Sequence, residues 1–461
     1  MSQAVELLFE RGTLLLDTKD VPLQPDDVPA GFLPDDRVGG KLRAPASLYR
    51  KALGQLIRAG LEVDDKARCY DTIELAIRRR RDPYPHQRDA LKAWDKAKRR
   101  GVVVLPTGSG KSYVAEMAIA QVARSTLVVV PTIDLLNQWM WVLASAFGRD
   151  RVGGVGGGLY EINELTVTTY DSAYIHMPDF GDRFGLLVFD ECHHLPGPTY
   201  SQAALTSIAP YRLGLTATPE RSDDGHEAFR DLIGPIVYRR DIDEMAGLYL
   251  AGYETIRLKV QLSEDEREAY DLARETYLDF LRQHRIRMSA ADGWSQFIRI
   301  ANRSRAGRAA WGAWRQSKEI ALRCEAKLEL LGELLGQHAE SPTIIFTNDN
   351  DTVYEISRRF LVPAITHQTK TGERQAILQG FNEGKLRAVV TSRVLNEGVD
   401  MPAASVGIVL SGSGSVREHV QRLGRILRRQ EGKVATLYEV ITEQTREEQT
   451  SDRRRDHRAY D

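Results

Sequence analysis

Lys111 and Ser112 close the stretch GVVVLPTGSGKS at residues 101–112. An amine and a hydroxyl directly after a glycine-bearing loop suit a phosphorylated nucleotide. The backbone N–H groups of Thr107, Gly108, Ser109 and Gly110 can cradle phosphates, and the positive end of the next helix adds to them. Lys111 then reaches the β- and γ-phosphates, and Ser112 ligates Mg²⁺. Further along stand two adjacent carboxylates, Asp190 and Glu191, in Asp-Glu-Cys-His. Asp190 can hold the metal, directly or through water, as the acidic partner of the loop. Glu191 can orient and deprotonate an attacking water. Near the C-terminus, Gln421-Arg422-Leu423-Gly424-Arg425-Ile426-Leu427-Arg428 places Arg425 and Arg428 three apart, on one face of a helix. Aimed at a γ-phosphate, such arginines are worth about 10³–10⁵ in rate, or about 4–7 kcal/mol of barrier. Each group alone reads as an ordinary solvated residue; the phosphate loop is what gives the acids and arginines a common purpose.

These groups need rigid elements behind them. Val102, Val103, Val104 and Leu105 form an apolar run, as a strand covered on both faces should. Leu105 departs from the general loop pattern, which has Gly there. Val114, Ala115, Ala118, Ile119 and Val122 recur at helical spacing and predict a helix after the loop. From residue 82 onward strands alternate with helices, which predicts parallel sheets covered on both faces. One strand series falls at 127–130, 165–168, 186–189 and 213–215, and a second at 343–346, 388–390, 406–410 and 435–440. Two such series predict two α/β domains with a cleft between them.

The chain has 461 residues, for which the length prior is about three domains. Hydrophobic residues make up 42% and charged residues 28%, ordinary for a globular chain. The net charge is −1, so any nucleic-acid surface must be local. Cys69, Cys192 and Cys324 have no metal-ligand spacing and fit a reducing compartment. No apolar run approaches the roughly 20 residues that span a bilayer, so a cytoplasmic location is expected. Cys192 and His194 receive no chemical role, because no zinc-spaced ligands follow them.

Residues 1–80 read as a separate small α/β domain. Val5, Leu7 and Phe9 alternate, a second strand follows the Arg11-Gly12 turn, and residues 48–57 are helical. Residues 21–41, rich in Pro, Asp and Gly, are expected to be irregular. Arg78 to Arg81 form a basic run at the boundary with the strand–helix region 81–243. Residues 244–326 break the strand–helix rhythm and read as a linker and helical insertion, opened by the capping box Ser263-Glu264-Asp265-Glu266. Within it, residues 282–318 carry nine basic residues, Arg299 and Arg303 among them, against Asp292 alone. Trp294, Phe297, Trp311 and Trp314 are interleaved with these cations. Basic residues with aromatics suit a phosphate backbone and stacked bases; the plainer alternative is a solvated face with tryptophans turned inward. Residues 327–444 hold the second strand series, and 445–461 read as a polar, frayed tail.

LPTGSGKS, DECH, Leu215-Thr216-Ala217-Thr218 and QRLGRILR, in this order, resemble a superfamily 2 helicase of the DExH type. The stretches TTYDSAY, FDECHHLP, APYRLGLTATPER, EGVDMP and SGSGSVREHVQRLGRILR are similar to the XPB-type DNA repair helicases in their compact archaeal and bacterial form. So is ERGTLLL near the N-terminus. The resemblance implies two RecA-like domains, a small N-terminal damage-recognition domain and a helical thumb. It implies that Gln87 reads adenine, that Thr132 and Thr169 touch the nucleic-acid backbone, and that Gly398 and Asp400 sense ATP. Thr216 and Thr218 would link ATP state to nucleic-acid grip. A companion nuclease is implied for some members. The family's Arg-Glu-Asp signature, tied to strand separation, reads Arg221-Ser222-Asp223 here. Its missing central acid bears on unwinding more than on ATP hydrolysis.

The expected function is an ATP- and Mg²⁺-dependent 3′-to-5′ DNA helicase or translocase of the repair type, acting on single-stranded and forked or duplex DNA. Three rivals stand beside it: a duplex translocase that does not unwind, an RNA helicase, and a nucleotide-switched DNA-binding scaffold that recruits a nuclease.

Overall fold

The computed structural model describes residues 4–18, 21, 23–78, 81–219, 228–290, 292–392, 404–412 and 434–455. Residues 1–242 and 243–461 form two compact units. Among the described residues no helix is long and apolar enough to cross a membrane.

The first unit opens with a five-stranded sheet. Strands Val5–Glu10 and Thr13–Asp17 form its central hairpin, turned at Arg11 and Gly12 with φ of 44° and 80°. Val5, Leu7, Leu14 and Leu16 point into one core with the helix Tyr49–Arg58. Ile208, from the helicase-like region, belongs to that same core. Gly12 meets it again: a Cβ there would lie 2.7 Å from Cβ of Thr206. The stretch 21–41, expected to be irregular, contains a short edge strand, Leu33–Asp35. Arg37 and Arg43 both donate to the Asp35 carboxylate and hold that edge in place.

The rest of the unit is built on an eight-stranded sheet. Its order is Ile236–Arg239, Arg100–Val104, Tyr211–Thr216, Leu186–Asp190, Thr126–Val130, Leu165–Thr169, Val152–Gly156 and Leu159–Glu161. Every pairing is parallel except the last hairpin. The inner strands are continuously apolar because helices cover both faces. The glycines at 153–158 lie in the last hairpin and its turn.

The second unit carries a six-stranded, wholly parallel sheet. Its order is Gly252–Val260, Val434–Thr442, Val406–Val409, Thr343–Phe346, Ala388–Thr391 and Ala364–Ile365. Gly252–Val260 corrects the expectation that 244–326 is linker and helix. Ile256, Leu258 and Val260 alternate with Arg257 and Lys259, a period-two pattern on a half-exposed edge strand. The helices Glu264–Gln283, Gly293–Ala301 and Arg305–Arg323 follow as expected. The Ser263–Glu266 capping box forms, with both reciprocal bonds made.

The expected frayed tail is also corrected, for residues 446–455 form a helix. Glu447 anchors it inside the protein. Both its carboxylate oxygens accept from Lys327 Nζ, at 2.8 and 2.7 Å, and both residues are fully buried. Lys327 also donates to the carbonyls of Leu410 and Val440, so no charge is left unsatisfied.

Candidate nucleotide site and nucleic-acid surface

The phosphate loop leaves the strand Arg100–Val104 and enters the helix Lys111–Val122. Gly108 and Gly110 have φ of 86° and 84°, the left-handed region that glycine reaches without strain. Gly110 also leaves room for Gln87, since a Cβ there would lie 2.3 Å from Gln87 Nε2 and push that amide off the loop. Gln87 docks on the loop: its amide donates to the carbonyls of Ser109 and Gly110, at 3.1 and 3.4 Å. Its Oε1 accepts from Tyr84 N–H at 3.0 Å. His86 Nε2 lies 2.9 Å from the Ser109 carbonyl. Lys111 Nζ donates to the Leu105 carbonyl at 3.2 Å and stands 3.8 Å from Glu191 Oε1.

The strand Leu186–Asp190 delivers the two acids to the same place. Asp190 is held on both oxygens. Oδ1 accepts from Glu191 N–H at 3.0 Å, and Oδ2 accepts from the indole N–H of Trp139 at 2.7 Å. Burial and the neighbouring Glu191 push the Asp190 carboxyl above the usual range, while Lys111 and the two donors oppose the shift. Glu191 has φ of 46°, an uncommon conformation for a side-chain-bearing residue, and this turns it out of the strand direction. Its Oε2 is buried, accepts no hydrogen bond among the described residues, and lies 3.5 Å from His193 Nδ1. His193 Nδ1 is also 3.1 Å from Thr216 Oγ1, which donates to the Thr218 carbonyl at 3.1 Å. A continuous polar path therefore runs from Glu191 through His193 to the segment Thr216–Thr218.

Thr132 and Thr169 stand at the ends of the neighbouring strands. Each caps a helix, accepting from the N–H of Leu135 and of Ser172, both at 3.2 Å. Two helix N-termini thus lie beside one another on adjacent parallel strands. Ahead of the loop, the basic run enters at Arg81, whose guanidinium lies 4.6 Å from the Tyr113 ring centroid and 3.6 Å from Glu116.

In the second unit, the nine basic residues of 282–318 are all exposed, Arg299 and Arg303 included. Among the described residues, neither Arg299 nor Arg303 has a carboxylate within ion-pair distance. The aromatics pack on one another, while Trp294 keeps 41% of its surface exposed. Trp311 and Trp314 stack 5.2 Å apart, Trp294 packs on both, and Phe297 is fully buried. They bind the helices to one another, because large apolar rings gain more from mutual burial than from water. Arg221, Asp223, Gly398, Asp400, Arg425 and Arg428 lie outside the described residues.

Trp139 was missed by sequence reasoning. It sits in the helix Ile133–Phe147, 51 residues from its partner, and nothing in its neighbours marks it. His193 could have been found, since it stands two residues after Glu191 and is an unusual residue to bury.

Known proteins place this geometry. Three family descriptions match: the Xeroderma pigmentosum group B helicase damage recognition domain over residues 7–67, the type III restriction enzyme res subunit over 80–221, and the helicase conserved C-terminal domain over 326–430. A Sulfurisphaera tokodaii protein named DNA 3′-5′ translocase XPB2 is 43% identical over 80% of this chain and 84% of its own. A Kineococcus radiotolerans protein named DNA 3′-5′ helicase XPB is 30% identical over 85% of this chain and 66% of its own. Among solved structures, the Pyrococcus furiosus Hef helicase domain superposes with a TM-score of 0.55 at 20% identity, covering 82% of this chain and 99% of that one. Saccharomyces cerevisiae Dbp5, solved with RNA and ADP BeF3, gives 0.56 at 13%, covering 81% and 87%. These two share the fold, with its paired RecA-like sheets. Phosphate loop, paired acids and N-terminal sheet, taken with such close and extended identity, make this chain a member of the XPB helicase family.

Proposed function

We propose that this protein is an ATP-dependent DNA motor that moves 3′ to 5′ and opens duplexes in DNA repair. One observation carries the reading: Lys111, Asp190, Glu191, His193 and Thr216 converge from three separate segments on one phosphate loop. The donor set fits Mg²⁺ and ATP. Lys111 rests its amine on a carbonyl, an exchangeable partner, and Glu191 keeps a buried oxygen with spare lone pairs among the described residues. Ser112 and Asp190 would hold the magnesium ion, which when bound neutralises charge on the phosphates.

The chain's own groups do the rest. The backbone N–H groups of 107–111 bind the phosphates, and Gln87, fixed on the loop, meets the adenine. Glu191 orients a water and takes its proton at a carboxylate oxygen. His193 keeps Glu191 in place and ties its position to Thr216 and Thr218, the route by which nucleotide state alters nucleic-acid grip. Thr132 and Thr169 present helix N-termini to a phosphate backbone. Arg299 and Arg303 add exposed positive charge. Arg425 and Arg428 carry the family's phosphoryl-stabilising role, and Gly398 and Asp400 its ATP-sensing one. The direction of travel is supported by the names of the relatives.

A second reading, translocation on duplex DNA without unwinding, is favoured by Arg221-Ser222-Asp223 and by the name of the Sulfurisphaera relative. Mg²⁺-dependent ATP turnover should be measured without nucleic acid, with DNA and with RNA. DNA stimulation abolished by Glu191→Gln is the expected result. Equal stimulation by RNA overturns the DNA assignment. Absence of any stimulation brings forward the scaffold that recruits a nuclease. Displacement of a strand from a 3′-overhang substrate then separates unwinding from translocation.

A further inference from the structure

We propose that a strip of arginines interleaved with Tyr70 and Tyr211 binds the phosphate backbone of duplex DNA, at the end of the central sheet remote from the phosphate loop. The proposal rests on the DNA-motor reading and extends its contact surface. Arg68 lies 5.8 Å from the Tyr70 ring centroid, and Arg124 lies 5.4 Å from it. Arg124 also lies 5.1 Å from the Tyr211 ring, with Arg50 at 5.4 Å and Arg99 at 5.5 Å. Four guanidinium groups are thus threaded on two tyrosines.

The placement follows from the strands. Arg124 comes just before Thr126–Val130, and Tyr211 begins Tyr211–Thr216. Thr132, Asp190 and the phosphate loop follow the opposite ends of these parallel strands. A five-residue strand at about 3.3 Å per residue puts the strip roughly 17 Å away along the sheet. It also joins two parts of the unit. Arg50 and Arg68 come from the N-terminal sheet domain, Arg99 and Arg124 from the RecA-like sheet. Arg50 donates to the carbonyls of Lys98 and Pro210 across that boundary, at 2.9 and 3.1 Å.

The electrostatics ask for an anion. Among the described residues, Arg99 has a carboxylate partner, Asp95 at 2.8 Å, whereas Arg50, Arg68 and Arg124 have none within ion-pair distance. Like charges gathered on one ring repel, and a multivalent anion relieves them. The guanidinium groups lie over the tyrosine rings within cation–π range, and their planar forks are pre-organised for phosphate oxygens. Duplex DNA is favoured over an acidic peptide because the cations come from both the N-terminal sheet domain and the motor sheet, as contacts along an extended polyanion would, and because they share a unit with the site of the DNA-motor reading. DNA bound there would be felt by the N-terminal domain and the motor sheet together.

The test is the salt dependence of binding to a duplex several turns long. Each phosphate contact adds about 0.9 to the slope of log K against log salt. Arg68→Gln with Arg124→Gln should lower the slope by about 1.8, and Arg68→Lys with Arg124→Lys should preserve it. ATP turnover without DNA should be unchanged in both, which controls for folding. A slope unchanged in the glutamine pair, with wild type binding normally, overturns the strip alone. An equal loss in the lysine pair overturns it in favour of a purely structural tie. A polyglutamate peptide that binds wild type but not the glutamine pair, with the DNA slope unchanged, overturns it in favour of an acidic protein. Wild type that binds no duplex at any salt overturns the motor reading itself.

Discussion

Replacing Trp139 by Phe removes one hydrogen bond from the Asp190 carboxylate and keeps an aromatic ring in the core. The bond is 2.7 Å long and buried, with Trp139 only 2% exposed, so water cannot replace it. A hydrogen bond to a charged group is worth about 1.5–3 kcal/mol, or about 10–150-fold in an equilibrium constant. Losing a donor behind a metal ligand costs about 10–100-fold in metal affinity, the same range. The other carboxylate oxygen stays on Glu191 N–H, so Asp190 keeps its place and loses only its fixed orientation. The assay is DNA-stimulated ATP turnover titrated with Mg²⁺ at constant ATP. Half-activation should move to about 10–100-fold higher Mg²⁺, with most turnover restored at saturation. Nucleotide binding in the presence of a chelator should not change, because Trp139 reaches the acid and not the phosphate loop. A fall in turnover that no concentration of Mg²⁺ restores, with the half-point unmoved, would refute the reasoning.

Two further outcomes follow from buried charge. Lys327→Met leaves Glu447 buried without its cation, which costs about 3–5 kcal/mol, whereas a second change, Glu447→Met, should recover much of that. The labelling rate of Cys324 reads the effect locally: this thiol is 1% exposed and lies 3.5 Å from Thr442 Oγ1, on the residue whose N–H donates to Glu447. The single variant should label at least about a hundredfold faster than wild type. Glu116 offers a pH test. Burial pushes its carboxyl from 4.5 up to about 7, with Arg81 opposing the shift. The folded protein therefore holds this proton more tightly than the unfolded chain. Its contribution to stability is greatest below the unfolded value and is lost as pH rises through the window from 4.5 to about 7. Glu116→Gln should remove that slope, worth up to about 3 kcal/mol, when unfolding midpoints are compared across the window.

The phosphate loop, the strand that carries Asp190 and Glu191, and both strand series were legible in the sequence. Each is a local matter: a glycine where φ must be positive, an apolar run where both faces are covered, an acid at the strand end. The Ser263–Glu266 capping box is local in the same way. The strand Gly252–Val260 was legible too, in the alternation of Ile256, Leu258 and Val260, but its position beside a helical insertion hid it. Tertiary structure alone decided the rest. Trp139 reaches Asp190 across 51 residues, His193 reaches Thr216 across 23, and Lys327 reaches Glu447 across 120. The polar C-terminal stretch read as frayed because nothing near Glu447 announces a partner. The packing of the insertion's tryptophans on one another likewise leaves no sign in their count. Local pattern records what the backbone of one segment requires. A hydrogen bond or ion pair between distant segments exists only once the sheets have set their order, and no single segment carries its trace.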